Sequence, residues 1–489
     1  MMNDRGKSDR SIRPEKLPNN ADSHAAEVVE GRDRAKGNPA KRDKLWTPSQ
    51  ESLPSALERV RQAAEQDRKQ RFTALLHHIY DIDRLRRGYF EVKKDAAAGI
   101  DGETWQHYGE RLEDNLRDLS GRLARGAYRA RPVRRVYIEK ADGRKRPLGV
   151  PVLEDKIVQR SAVEVLNAIY EVDFVGFSYG FRPGRSPHQA LDALAFGIWK
   201  KWVNWILDSD LQAFFDTLRH DWLVKFLEYR IADRRVIRLI QKWLNAGVLE
   251  DGKRMFSEIG TVQGGSISPL LANIYLHYAF DLWAQQWRMK QACGDVIIVR
   301  FADDFVVGFQ HRKEAERFRE ELGERLAKFG LKLHPEKTRL IEFGRFAMQN
   351  GKARRQGKPE TFNFLGFTHC CGQTRKGTFT VIRKTMRVRM LKKLKVISQE
   401  LQRRRHEPIP AQGRYVRAVV QGHINYYGVP FNSPAIHAFR HQVIRRWHQW
   451  LSRRSGRAYV TWERMKRYTA RWVPPAVLVH PYPAARFGG

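Results

Sequence analysis

Two neighbouring acids, Asp303 and Asp304, interrupt the apolar run Val296-Ile297-Ile298-Val299-Arg300-Phe301-Ala302-Asp303-Asp304-Phe305-Val306-Val307-Gly308-Phe309. The pattern reads as two strands meeting at a tight reversal that carries both carboxylates. Side-by-side carboxylates repel, and each titrates upward unless a cation sits between them. Such a hairpin tip is a candidate site for a hard divalent cation, Mg²⁺ above all, held by oxygen ligands. An ordinary polar turn accounts for the same pair, since Asp is a favoured turn residue. A second acid cluster lies upstream, where the strand Trp205-Ile206-Leu207-Asp208-Ser209-Asp210 ends in Asp210 and a helix opening on Phe214 and Phe215 follows. Phosphoryl transfer by two metal ions needs carboxylates from different strand ends, converging on ions roughly 3.5–4 Å apart. Asp210, Asp303 and Asp304 supply such a set.

Positioning that set requires strands and helices in alternation, and the sequence has them from about residue 130. Val133 to Glu139 reads as a strand closed by the turn Ala141-Asp142-Gly143, Leu153 to Tyr170 as a helix, and Trp202 to Asp210 as a strand. His220 to Ala246 follows as one or two helices and Ser268 to Trp287 as another, ahead of the acidic hairpin. His311 to Phe329 is helical, with short strands near Leu333, Leu340, Phe364 and Phe379. The pattern predicts an α+β domain with largely antiparallel strands. Upstream, helical periodicity starts near Leu53 and runs through Phe72, Leu75, Leu76, Ile79, Ile82 and Leu85. After a break at residues 95–102 another helix reaches about Leu123. Residues 1–50 are polar, with few large apolar side chains, and predict a disordered tail. Beyond Arg383 the chain turns helical and basic: Arg383 to Arg405 holds ten Lys/Arg against the single acid Glu400. Met386, Met390, Leu391, Leu394, Ile397 and Leu401 form one helical stripe. So one-sided a charge points to a phosphate-facing surface rather than a merely solvated helix.

Over 489 residues, 90 Lys+Arg face 54 Asp+Glu, a formal charge of +36. Counterion release gives such a chain affinity for polyanions, the footprint of nucleic-acid binding. No stretch approaches transmembrane length and no basic amphipathic anchor stands out, which argues against a membrane partner. The first fifty residues lack the apolar core of a signal peptide. Cys293, Cys370 and Cys371 form no CxxC pair, which argues against a disulfide framework or a cysteine zinc site. A cytoplasmic nucleic-acid-binding protein is expected.

From about residue 70 onward the chain resembles bacterial group II intron reverse transcriptases/maturases. Seven blocks carry the likeness in the family's order. They are Lys140 with Arg146-Pro147-Leu148-Gly149; Ser178-Tyr179-Gly180-Phe181-Arg182-Pro183-Gly184; Asp210 to Asp216; and Gln263-Gly264-Gly265-Ser266-Ile267-Ser268-Pro269-Leu270-Leu271-Ala272-Asn273. Phe301 to Asp304, Glu336-Lys337-Thr338 and Phe364-Leu365-Gly366-Phe367 complete the series. The resemblance implies a right-hand polymerase with α+β fingers and palm, followed by an all-helical thumb and maturase domain. Its expected boundaries are a helical extension over 51–130, fingers and palm over 131–380, thumb over 381–412 and maturase domain over 413–489.

The resemblance also implies roles. Asp210, Asp303 and Asp304 correspond to the triad that holds two Mg²⁺ ions. Lys140 and Arg146 resemble fingers residues that grip the incoming triphosphate, and the backbone from Leu211 would cradle it. Phe215 takes the position of an aromatic that crowds a 2′-hydroxyl and so selects deoxynucleotides, with Phe214 the better core residue. Gln263 precedes two glycines that let backbone approach the nucleotide closely. Lys337 is a candidate general acid toward pyrophosphate. Phe364, Leu365 and Gly366 resemble the primer grip. Outside the family pattern these residues read as a solvated hairpin, a glycine turn and a surface lysine. The tetrapeptide usually begins with Tyr; Phe301 keeps the ring and loses the hydroxyl, which bears on fidelity more than on activity.

Tyr415 to Pro474 resembles the maturase domain, and Arg440 to Arg471 holds ten Lys/Arg and one acid, Glu463, among Trp447, Trp450, Tyr459 and Trp462. Arg440, Arg445, Arg446 and Trp447 are candidates to hold phosphates and stack on unpaired RNA bases; a helical bundle would bury the same tryptophans. Many relatives carry an HNH endonuclease with paired cysteines, which this sequence lacks, so no second-strand cleavage is expected. The implied activity is RNA-directed DNA polymerisation joined to intron splicing and mobility. Group II intron RNA, an RNA template with its DNA primer, target DNA and dNTPs are the implied partners. Competing readings are a splicing-only maturase, or a reverse transcriptase serving DNA repair or phage defence. Intact Asp210, Asp303, Asp304 and Gln263 argue against the first of these.

Overall fold

The computed structural model describes residues 52–139, 145–250, 253–255, 260, 264–347, 349–350, 358–455 and 459–487. The expected tail at 1–50 lies outside the described residues, as do Lys140 and Gln263. The strands are β1 (Val133–Glu139), β2 (Lys145–Val150), β3 (Trp205–Asp210), β4 (Val248–Glu250), β5 (Lys253–Met255), β6 (Val296–Phe301), β7 (Asp304–Phe309), β8 (Arg339–Glu342), β9 (Phe362–Phe364), β10 (Phe367–Gln373) and β11 (Phe379–Thr385). They form three sheets, ordered β2-β1-β4-β5, β6-β7-β3-β8 and β11-β10-β9. Every pairing is antiparallel except β1 with β4, which is parallel.

The sheet β6-β7-β3-β8 is central because both of its faces are covered. Side chains alternate across a strand, and β6 is buried along its whole length. Val296 and Ile298 enter a large core with the helices Leu153–Asp173 and Ser268–Leu276. Ile297, Val299 and Phe301 enter a second core with the helix Pro187–Lys200. Arg300 therefore falls on the large-core face, in register with Val296 and Ile298. Sequence periodicity misses the helix Pro187–Lys200, because it is apolar on nearly every side and buried accordingly. Its start is written locally: Ser186 Oγ accepts from Gln189 N and Ser186 N donates to Gln189 Oε1, a capping box with Pro187 behind it.

Other expectations shift. The helix expected from Ser268 to Trp287 divides into Ser268–Leu276, a π-helical segment His277–Asp281, and Leu282–Lys290. Leu333 makes only an isolated bridge with Leu211. Arg383 does not open the basic helix: it is buried within β11, where its Nη1 donates to Asp192 Oδ1 at 2.5 Å. The helix begins at Arg387 and runs to Arg403. Its buried stripe is Leu394, Ile397 and Leu401; Leu391 is 50% exposed. The helices Ile409–Tyr427, Ser433–Leu451 and Trp462–Trp472 complete a bundle with its own core. The bundle is tied to the β9–β10 turn, where Tyr426 Oη donates to Leu365 O at 2.8 Å; further on, Arg486 in the short helix Pro483–Phe487 donates through Nε to Asp192 Oδ2 of the helix Pro187–Lys200 at 2.8 Å. Among the described residues no helix is long and apolar enough to cross a membrane.

Candidate active site

The register of the central sheet brings the predicted acids together. Asp210 at the end of β3 stands opposite Asp304 at the start of β7. The β6–β7 hairpin closes through Ala302 and Asp303, with Ala302 at φ 56°. By alternation, Asp208 and Asp210 share the face of Ile206, and Asp304 that of Val306. Both apolar residues belong to the second core, which also contains Phe364 and Leu365. Lys337 arrives on the segment following Leu333, which runs beside the end of β3. Gln212 N donates to Lys332 O at 2.9 Å and His334 N to Asp210 O at 2.8 Å. The Lys337 ammonium then donates to Asp210 Oδ2. Backbone pairing thus brings Asp210, Asp304 and Lys337 to one end of the central sheet.

Asp304 is exposed as a residue, yet the protein packed around its carboxylate pushes its pKa up to about 8, aided by repulsion from Asp303, Asp210 and Asp208. Arg389, from the first turn of the basic helix, opposes that rise. Asp208 is pushed up to about 6 by burial, with Arg339 opposing and Asp210 adding. Carboxylates that resist ionisation together are relieved by a divalent cation. Hard oxygen donors on adjacent strand ends fit Mg²⁺ in chemistry. As the side chains stand, no three His, Cys, Asp or Glu groups among the described residues are gathered closely enough to hold an ion. Lys337 neutralises Asp210 instead.

The remaining candidates separate into those beside the acids and those elsewhere. Phe215 is 8% exposed and meets Phe214 edge-on at 5.3 Å, both within the large core. Leu211 is buried. Arg146 lies on β2 opposite Ile138. Gly264, after Gln263, has φ 117°, and a Cβ there would stand 2.4 Å from Gly149 O. This glycine admits the protein's own backbone, joining two of the seven sequence blocks. At the β9–β10 turn, Leu365 (φ 47°) and Gly366 (φ 84°) are both left-handed. Gly366 O accepts from Met386 N at 3.1 Å, and a Cβ on Gly366 would lie 3.2 Å from Arg389 Nη1. Arg389 is therefore a site residue that sequence reasoning missed, its only signal being membership of a basic run.

The RNA-binding candidates need correction. Trp447 is fully buried in the bundle core, and its Nε1 donates to Gln412 Oε1 at 3.1 Å. No face remains for a base. Arg440 is half-buried with Nε on Pro474 O, and Arg446 is held by Gln442. Arg445 is exposed. The exposed aromatics of this stretch are Tyr459 and Trp462, the latter stacked on His448 with centroids 4.1 Å apart.

The family model for reverse transcriptases (RNA-dependent DNA polymerases) matches residues 138–369, a span that contains the central sheet and its acids. Sheet, acids and match together define a reverse transcriptase. The protein YkfC of Escherichia coli (strain K12) is 35% identical over 275 residues, covering 50% of this chain and 71% of that protein. The group II intron-encoded protein LtrA of Lactococcus lactis subsp. cremoris is 35% identical over 237 residues, covering 48% of this chain and 39% of that protein. An uncharacterized 91 kDa protein in the cob intron of Schizosaccharomyces pombe is 47% identical over 146 residues, 30% of this chain and 18% of that protein. The chain belongs to the group II intron reverse transcriptase/maturase family, whose enzymes are RNA-directed DNA polymerases. Reverse transcriptases generally use Mg²⁺.

Proposed function

We propose that this chain copies RNA into DNA by nucleotidyl transfer at Asp210, Asp303 and Asp304, and that its basic bundle binds group II intron RNA to promote splicing and mobility. The observation that carries the first half is the antiparallel register of Asp210 with Asp304, next to Asp303 at the hairpin tip. The sheet β6-β7-β3-β8 serves as palm, β1 and β2 as fingers with Lys140 and Arg146 on the triphosphate, and the helix Arg387–Arg403 as thumb. Two Mg²⁺ ions, when bound, activate the primer 3′-oxygen and offset charge on the leaving pyrophosphate. The three aspartates would hold those ions. Lys337, whose ammonium donates to Asp210 Oδ2, would on release from it serve as the proton donor to pyrophosphate. Phe215 would bound the sugar side of the nucleotide with Leu211 beside it, the family resemblance gives Gln263 a nucleotide-binding role, and the Phe364-Leu365-Gly366 turn would meet the primer end. Arg445, Tyr459 and Trp462 offer charge and ring faces to intron RNA.

Extension of oligo(dT) on poly(rA) with dTTP and Mg²⁺ tests the polymerase half. The wild type extends, and Asp303→Ala lowers the rate at least about a hundredfold. Extension retained in that variant would sink the assignment. Intron RNA binding is measured separately, as affinity against salt concentration.

A further inference from the structure

Ser178, Gly180 and Asn273 of the sequence blocks, and Arg300 just before the fifth, have no part in the chemistry described above, yet they meet at one place behind the acidic hairpin. Arg300 is fully buried on a face of β6 that otherwise carries Val296 and Ile298. A guanidinium has five N–H donors, and all five are used. Nε and Nη2 donate to the two oxygens of Asp281 at 2.7 and 2.5 Å, and Nη2 also to Ser178 Oγ at 2.7 Å. Nη1 donates to Asn273 Oδ1 and to Ala302 O, each at 3.0 Å. Asp281, itself fully buried, ends the π-helical segment that divides the expected long helix. π-bulges of this kind concentrate at functional sites.

The same junction is closed from the other side. Asn273 Nδ2 donates to Gly180 O at 2.6 Å, Tyr179 N to Arg300 O at 2.8 Å, and Arg300 N to Phe177 O at 2.9 Å. A Cβ on Gly180 would stand 2.3 Å from Ala302 N, so only glycine admits the hairpin this closely. Ala302, held through its carbonyl, is the left-handed residue immediately before Asp303.

We propose that Arg300 is the positioning residue of the active site: through Ala302 O it locks the turn bearing Asp303 and Asp304 onto Asp281, Asn273 and Ser178. The inference rests on the reading of Asp303 and Asp304 as the cation-holding acids. Groups that orient ligands from behind commonly govern metal affinity and rate as strongly as many direct contacts.

The test is the double variant Arg300→Met/Asp281→Leu. Removing both halves of a buried ion pair for apolar residues preserves folding far better than removing one. The expected protein has an unfolding midpoint close to wild type and an unchanged KM for dTTP. Its kcat falls about 10- to 100-fold, and its affinity for Mn²⁺, read by electron paramagnetic resonance without primer or nucleotide, falls about 10- to 100-fold. A folded double variant with wild-type kcat and Mn²⁺ affinity overturns the proposal. Should the double variant not fold, Asn273→Ala takes its place: a fall in both kcat and Mn²⁺ affinity supports the proposal, and wild-type values of both overturn it. Asp303→Ala runs alongside: if it keeps extension, the assignment of the acids fails, and if it loses extension while the Arg300 variant is normal, only the present inference fails.

Discussion

At the acidic hairpin, Arg300 is sealed from solvent with every donor aimed at a protein acceptor; in the helical bundle, Arg445 stands open while Trp447, two residues on, is buried to the last atom. Both regions are rich in charged and aromatic residues. In the sheet, strand register and tight turns fix where each carboxylate points, so residue order nearly determines geometry. In the bundle, the helical repeat sorts neighbours onto opposite faces, and composition alone says nothing about which face is wet. The positions of the acids were therefore readable one residue at a time, and the exposed side chains of the bundle were not.

The comparison is broken or sharpened by four measurements. Trp447→Ala should cost about 3–5 kcal/mol in denaturant unfolding, as a filled core position does. Exposed Trp462→Ala should change stability by no more than about 0.5 kcal/mol. Equal costs would erase the distinction between inner and outer aromatics. Gly264→Ala combines a left-handed φ with a Cβ driven against Gly149 O and should cost about 1–3 kcal/mol. A neutral result would show that the contact between these two blocks is loose.

Arg445→Ala should leave the unfolding curve in place and weaken intron RNA binding, with the salt dependence shallower by about one unit of slope. An unchanged slope would remove Arg445 from the RNA surface. A further small effect concerns Glu400, whose carboxylate is held down to about 2 by hydrogen bonds from Arg403 and then Arg404. Its folded pKa lies below the ordinary 4.5, so its contribution is complete above about 4.5 and lost as pH falls towards about 2. For a partly exposed pair this amounts to less than about 1 kcal/mol. The pH dependence of unfolding should flatten accordingly in Glu400→Gln; identical curves would contradict the assignment.

Much of the fold was legible where apolar runs end in turn residues. β3, β6 and β7 lie where the alternation and the acids put them, with β3 starting at Trp205 rather than Trp202. The helix Pro187–Lys200 escaped because a helix buried on nearly every side has no polar stripe to set its period; the Ser186-Pro187 start with Gln189 was its readable mark. The π-helical segment escaped for a different reason. It ends at Asp281, buried against Arg300 from a distant strand, a tertiary pairing that no local preference encodes. Arg383 misled because a basic residue beside a basic run looks like part of it, whereas its partner Asp192 lies 191 positions away. Trp447 misled through composition, and Arg389 was passed over for the same cause.

The central claim is that Asp210, Asp303 and Asp304, which strand register brings to one end of the central sheet, carry the polymerase chemistry. Its most direct test is single-turnover addition of one deoxynucleotide to a DNA primer on an RNA template, comparing wild type with Asp304→Asn at matched thermal stability. The account predicts a rate lower by at least about a hundredfold in the variant. A variant that folds normally and adds the nucleotide at the wild-type rate would contradict it.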